Sequence, residues 1–201
     1  TGNNAIRLIN PDTTQVITIA GDGTPGTITC TGTMPCPAMT NWEQCFNNPS
    51  GNMRFNAPND VILKHGNRYD FYIADTGNNA IRYLEYAYSP TSPICQGRVL
   101  AGSSEPPGYK TGEDGLVIKF NQPVGLADAD FFPGGCSGNN YNYLNHMFIT
   151  DSGNNVIRYL TLGSYAPFGG PQTNPTAITF AGDYQAPPGY GEGTTSFSSS
   201  T

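Results

Sequence analysis

The chain has 201 residues, a formal net charge of -6, and only 12% charged residues beside 25 glycines and 17 prolines. That length suffices for a substantial core, whereas the acidic balance and the lack of any basic run argue against nucleic acid as a partner. No apolar run approaches the ~18 residues of a membrane helix, so no membrane segment is expected in this portion.

The chain opens on Thr1-Gly2-Asn3-Asn4-Ala5-Ile6-Arg7-Leu8-Ile9. The same words return as Asp75-Thr76-Gly77-Asn78-Asn79-Ala80-Ile81-Arg82-Tyr83-Leu84 and as Asp151-Ser152-Gly153-Asn154-Asn155-Val156-Ile157-Arg158-Tyr159-Leu160. From Thr1 to Thr76 is 75 positions and from Thr76 to Ser152 is 76, which is the spacing of a repeat. Because the first copy lacks its Asp, upstream sequence is expected to belong to the same protein.

Within each copy, Gly-Asn-Asn accepts positive φ, and an Asp side chain suits backbone amides two or three residues on. The unit therefore reads as strand, tight turn, strand. Phe71-Tyr72-Ile73-Ala74 and Met147-Phe148-Ile149-Thr150 precede the turn, and β-branched and aromatic residues follow it, as strands require.

A strand ending in Ala-Gly comes next: Gln15 to Gly21, Arg98 to Gly102 and Ala177 to Gly182. Another shared segment opens the following repeat, Arg54-Phe55-Asn56-Ala57-Pro58 and Lys119-Phe120-Asn121-Gln122-Pro123. Its Pro stands where a strand begins without needing a donor. Ten strands follow from this, two at the start and two sets of four, and no segment has a sustained helical period. The predicted class is all-β.

Four consecutive strands joined by turns make an antiparallel meander, and a series of them is the pattern of a propeller-like array. Gly102, Pro106-Pro107-Gly108-Tyr109, Asp114-Gly115, Lys119-Phe120-Asn121-Gln122-Pro123-Val124-Gly125-Leu126 and then Phe148 to Arg158 resemble an NHL repeat. The resemblance implies a β-propeller array, about two and a half blades here: 1–21 a half blade, 22–102 a blade with a Cys-rich insert, 103–182 a blade, and 183–201 the start of another or a Ser/Thr-rich tail. The period of 76 exceeds the usual blade length, so the inserts stand out: Asp22 to Met53, Glu85 to Gln96, Ala129 to Asn145 and Thr161 to Thr176. The Asp-Thr/Ser-Gly-Asn-Asn turns should share one end of the sheets with the Ala-Gly to Phe-Asn-x-Pro connections, the other inserts lying at the opposite end.

Cys30, Cys36, Cys45, Cys95 and Cys136 fall in segments between the expected strands. Loop cysteines of this kind are disulfide candidates and favour an oxidising, extracellular compartment. They lack the close pairing of a structural zinc site, and the odd count leaves one over.

Chemistry-bearing residues are weighed against their repetition. Asp75 and Asp151 occur in both complete copies, which suits a turn-capping role better than a single catalytic carboxylate. Gly77, Asn78, Asn79, Gly153, Asn154 and Asn155 follow the same logic, and Arg7, Arg82 and Arg158 are expected to pair with the Asp residues or pack across repeats. His65 and His146 occupy different repeat positions, unlike the ligands of an axial metal, and read as loop histidines. Pro106-Pro107-Gly108-Tyr109 and Pro187-Pro188-Gly189-Tyr190 match the short pattern that WW modules bind, but sit where the repeat needs a turn. No catalytic residue, metal site or cofactor is predicted. Unblocked N-glycan acceptors are absent, while Ser/Thr/Pro-rich inserts and the tail are candidate O-glycan acceptors.

The sequence is thus expected to be a non-catalytic extracellular interaction or scaffold domain, its partner another protein or itself. The alternative is a subunit of an extracellular fibre or surface layer, assembled through open sheet edges. A propeller lyase or lactonase is a third reading.

Overall fold

The computed structural model describes residues 2–9, 11–27, 53–65, 69–87, 94–103, 106–112, 115–129, 146–162 and 174–189. Among these residues the protein is all-β, with ten strands in three antiparallel sheets and two single 3-10 turns in place of helices. The first sheet pairs β1 (Ile6–Ile9) with β2 (Val16–Ala20). The second runs β3 (Pro58–His65), β4 (Tyr69–Asp75), β5 (Ala80–Ala87) and β6 (Ile94–Gly102) in chain order. The third repeats this meander as β7 (Pro123–Asp128), β8 (His146–Asp151), β9 (Val156–Thr161) and β10 (Thr176–Gly182).

Proline opens β3 and β7, because the first residue of a strand needs no ladder donor. The last two strands of every sheet share an irregularity of register, between Ile6 and Arg7, between Ile81 and Arg82, and between Thr179 and Ala181. Such a bulge leaves one extra residue on one strand and re-aims its side chain. Ile19 and Leu100 stand at this position and go into the core.

Alternation along β4 divides the core in two. Phe71 and Ile73, with Leu84 of β5, pack with Ile6, Ile19 and Ala20 of the first sheet around Met53 and Phe55. Tyr72 and Ala74, with Ile81 and Tyr83, pack with Met147, Ile149 and Leu160 of the third sheet around Ile118 and Phe120. The middle sheet is therefore covered on both faces. In each interface the Phe of the Phe-Asn-x-Pro segment stands between successive sheets at zero exposure.

Two expectations are corrected at this scale. Cys95 lies within β6 opposite Tyr86 of β5, and both strands run further than their shared words, so the insert expected from Glu85 to Gln96 narrows to residues 88–93. His65 closes β3 and His146 opens β8, so both are strand residues rather than loop histidines. Cys30, Cys36, Cys45 and Cys136 and the tail from Tyr190 lie outside the described residues.

Candidate functional site: the buried Asp-Asn-Arg turn

The repeated turn is a 3-10 turn, Thr76–Asn78 in one copy and Ser152–Asn154 in the other, closed by an asparagine in the left-handed region. Asn79 has φ 50 and Asn155 φ 57, with Asn4 at φ 47 in the first copy. Asparagine tolerates this conformation better than most side chains. Gly77 and Gly153 serve a different need from the positive φ expected of them. A Cβ on Gly77 would lie 2.6 Å from Asn56 Nδ2 and 2.8 Å from its carbonyl oxygen, and one on Gly153 would lie 2.6 Å from Asn121 Nδ2.

The Asp does not cap the turn amides. Asp75 is instead fully buried and accepts hydrogen bonds from the Asn56 backbone N–H at 2.8 Å and from Asn78 Nδ2 at 2.8 Å, with Arg82 Nη1 3.7 Å away. Asp151 repeats the set with Asn121 N–H at 2.8 Å, Asn154 Nδ2 at 2.8 Å and Arg158 Nη1 at 3.4 Å. The carboxylate thereby ties the side chain of its own turn to the Phe-Asn-x-Pro segment folded against it, whose backbone amide finds its acceptor there.

Further bonds join these two segments. Gly77 N–H donates to the Asn56 carbonyl at 2.8 Å and Asn56 Nδ2 donates to the Gly77 carbonyl at 3.1 Å; Gly153 and Asn121 do the same at 2.8 and 3.0 Å. Asn78 and Asn154 reach the preceding loop, donating to the Gly26 carbonyl at 2.7 Å and the Gly108 carbonyl at 2.8 Å. Arg158 donates to the Lys110 carbonyl at 3.0 Å, and its guanidinium lies 4.7 Å from the Tyr109 ring and 5.5 Å from the Phe120 ring. Arg82 stands likewise 5.6 Å from Phe55. Flat guanidinium groups suit such buried, aromatic-lined positions.

Burial pushes the Asp75 carboxyl up to about 6, with the Asn56 amide, Asn78 and Arg82 pulling against it. Asp151 is raised for the same reason, and burial lowers both arginines. In this setting the group is a linchpin of the frame: every oxygen and donor faces protein.

A second set of bonds runs from the first two turns and from β3 to the following repeat. Asn4 Oδ1 accepts from Ala57 N–H at 2.8 Å, and Asn79 Oδ1 accepts from Gln122 N–H at 2.9 Å. Thr76 Oγ1 donates to the Pro123 carbonyl at 2.6 Å, and Asp60 Oδ2 accepts from Leu126 N–H at 2.7 Å. Ala57 and Gln122 are themselves left-handed, with φ 48 and 53. Sequence reasoning missed these roles of Asn56, Asn121, Asp60 and the residue before each Pro. The one signal available was the shared Phe-Asn, whose Asn has no strand-forming reason to recur.

Tyr109 of the first Pro-Pro-Gly-Tyr run is stacked on Tyr184, ring centroids 3.7 Å apart, and its hydroxyl meets Thr179 Oγ1. That ring is engaged by its own fold. His146 stacks on Tyr159 with centroids 5.3 Å apart, and His65 pairs with Tyr69 in the other four-stranded sheet. Among the described residues no helix is long and apolar enough to cross a membrane. No protein-family model matches the chain, and no curated protein matches it by sequence.

Proposed function

We infer that the protein is a non-catalytic extracellular scaffold built of NHL-like repeats, its four-stranded sheets standing as blades of a propeller-like array. The observation that carries this reading is the commitment of the buried carboxylate of the repeated turn to the frame in both complete copies. Asp75 and Asp151 are spent on the same amide, the same Asn and the same Arg in their two copies. A catalytic or metal-binding carboxylate keeps a bonding position open toward solvent or ligand, and these face none. Recognition then belongs to the non-repeated inserts, which a rigid frame holds in place.

Elemental mass spectrometry and calorimetry on wild type, Asp75→Asn and Asp151→Asn test this reading. Both variants are expected to melt lower, with no stoichiometric metal in any sample. A metal bound one to one in wild type and released by Asp151→Asn would overturn it. The second reading, a subunit of a fibre or surface layer, is favoured by the exposed apolar face of the third sheet.

A further inference from the structure

Among the described residues one pair of tyrosines stands apart. Tyr109, in the segment between β6 and β7, lies face to face with Tyr184, just past β10, with ring centroids 3.7 Å apart and planes 7° from parallel. Aromatic pairs ordinarily settle at offset or edge-on separations of about 4.5 to 7 Å. Other pairs here do so: Tyr72 and Tyr83 stand 5.2 Å apart and tilted by 43°, and Phe148 meets Phe180 edge-on at 4.7 Å.

Tyr109 is held from several sides. Its hydroxyl meets Thr179 Oγ1 of β10, and the Arg158 guanidinium lies 4.7 Å from its ring centroid. A parallel ring at 3.7 Å fills one face of Tyr109, so the guanidinium takes the other. Tyr184 is 45% exposed, and its hydroxyl oxygen accepts from Gln185 Nε2 at 2.9 Å. Its own phenolic proton can therefore leave to water.

The stack suits one reaction of phenols. When a phenol loses an electron and its proton, the unpaired spin spreads onto the ring carbons ortho to the oxygen. Two such rings at 3.7 Å are close to the ~3 to 3.5 Å at which reacting atoms are poised.

We propose that Tyr109 and Tyr184 are the site of an oxidative cross-link, a dityrosine formed within one chain by hydrogen peroxide and a haem peroxidase. Each phenol gives up one electron and one proton, and a carbon–carbon bond forms between the two ortho carbons. The hydrogens on those carbons then move to the oxygens, restoring both phenols. One peroxide takes up the two electrons and two protons and leaves as two waters. Tyr184, the exposed ring, meets the oxidant, and electron transfer across the stack brings Tyr109 to the same state.

The bond ties the segment that leads into the third sheet to the chain just beyond its last strand. From Tyr109 to Tyr184 is 75 positions, so the closed loop takes in the whole third sheet. A cross-link of that span acts chiefly by restricting the unfolded chain. The inference goes beyond the scaffold reading and does not rest on it.

Peptide mapping by mass spectrometry tests it on the whole chain treated with hydrogen peroxide and a haem peroxidase. N-acetyltyrosine in parallel tubes of the same buffers confirms that the oxidant couples phenols. The expected product is a monomer with the blue fluorescence of dityrosine, yielding a peptide that joins Tyr109 to Tyr184 with the loss of two hydrogens. Tyr109→Phe and Tyr184→Phe keep a ring that can stack and should lose that peptide, circular dichroism checking that their sheets persist. Treatment in urea should lose it too, because the pairing depends on the fold, so wild type with and without urea decides the matter even where a variant fails to fold. Tyr72 and Tyr83, tilted and buried, should give no cross-link. Coupled N-acetyltyrosine without the Tyr109–Tyr184 peptide overturns the proposal. So does an equal yield of that peptide in urea, its appearance only in dimers, or a Tyr72–Tyr83 peptide in equal amount.

Discussion

At the scale of single residues, the protein places one buried carboxylate and one buried arginine in an all-β core, and it does so twice in the same way. Desolvation opposes such charges, and the surrounding amides offset it. The raised Asp75 value sets a sign. Between the ordinary carboxyl value and about 6 the folded state holds a proton that the unfolded chain has released, so this group's contribution is fully present below pH ~4 and is lost as pH rises through about 6. Denaturation midpoints measured from pH 4 to 7 should therefore show a downward component in wild type that is missing in Asp75→Asn. A component of the opposite sign would show that the ion pair with Arg82 outweighs burial.

The left-handed asparagines separate two effects. Asn79→Ala gives up the left-handed preference, about 1 to 2 kcal/mol, and also leaves Gln122 N–H without its acceptor, another ~1 to 3 kcal/mol. Asn155→Ala should cost the conformational part alone. Urea denaturation of the two variants reads the difference directly; equal losses would mean that the Asn79 bond contributes nothing net.

At the scale of elements, the connection between repeats matters more than the strands it joins. Phe120 is fully buried between the second and third sheets, so Phe120→Ala should lower stability by about 3 to 5 kcal/mol. Gly102, at φ 84, faces the Asn79 carbonyl oxygen and has the Phe120 ring 2.8 Å from where a Cβ would stand. Gly102→Ala should cost at least about 2 kcal/mol, from the positive φ and the close approach together. Thermal melts of the two variants check both values, and a Gly102→Ala protein as stable as wild type would mean that this turn adopts another conformation.

The strands themselves were legible from local words. Pro58 and Pro123 mark starts, Ala-Gly marks ends, and the alternating Phe71-Tyr72-Ile73-Ala74 has the period of a strand between two covered faces. Strand length was less legible: β5 and β6 run on through Glu85 to Ala87 and Ile94 to Gln96, because hydrogen-bonded pairing extends past the shared residues once two strands are in register. That extension is what takes Cys95 from a loop into a strand.

At the scale of the whole molecule, three sheets in chain order are joined face to face by two equivalent interfaces among the described residues. The proposal of an extracellular placement and the disulfide candidates rest on five cysteines, of which Cys95 lies in β6 and the other four lie outside the described residues.

The sequence by itself determined the repeat, the all-β class, and the count and order of strands among the described residues. These are local or periodic properties, carried by residues near one another in the chain. Only the tertiary structure decided where the Asp points and which faces are covered. The partner of Asp75 is an amide 19 residues upstream, and the partner of Asn79 lies 43 residues downstream. Whether Leu100 is buried and Phe180 exposed depends on what packs above each sheet, which no residue in either strand specifies.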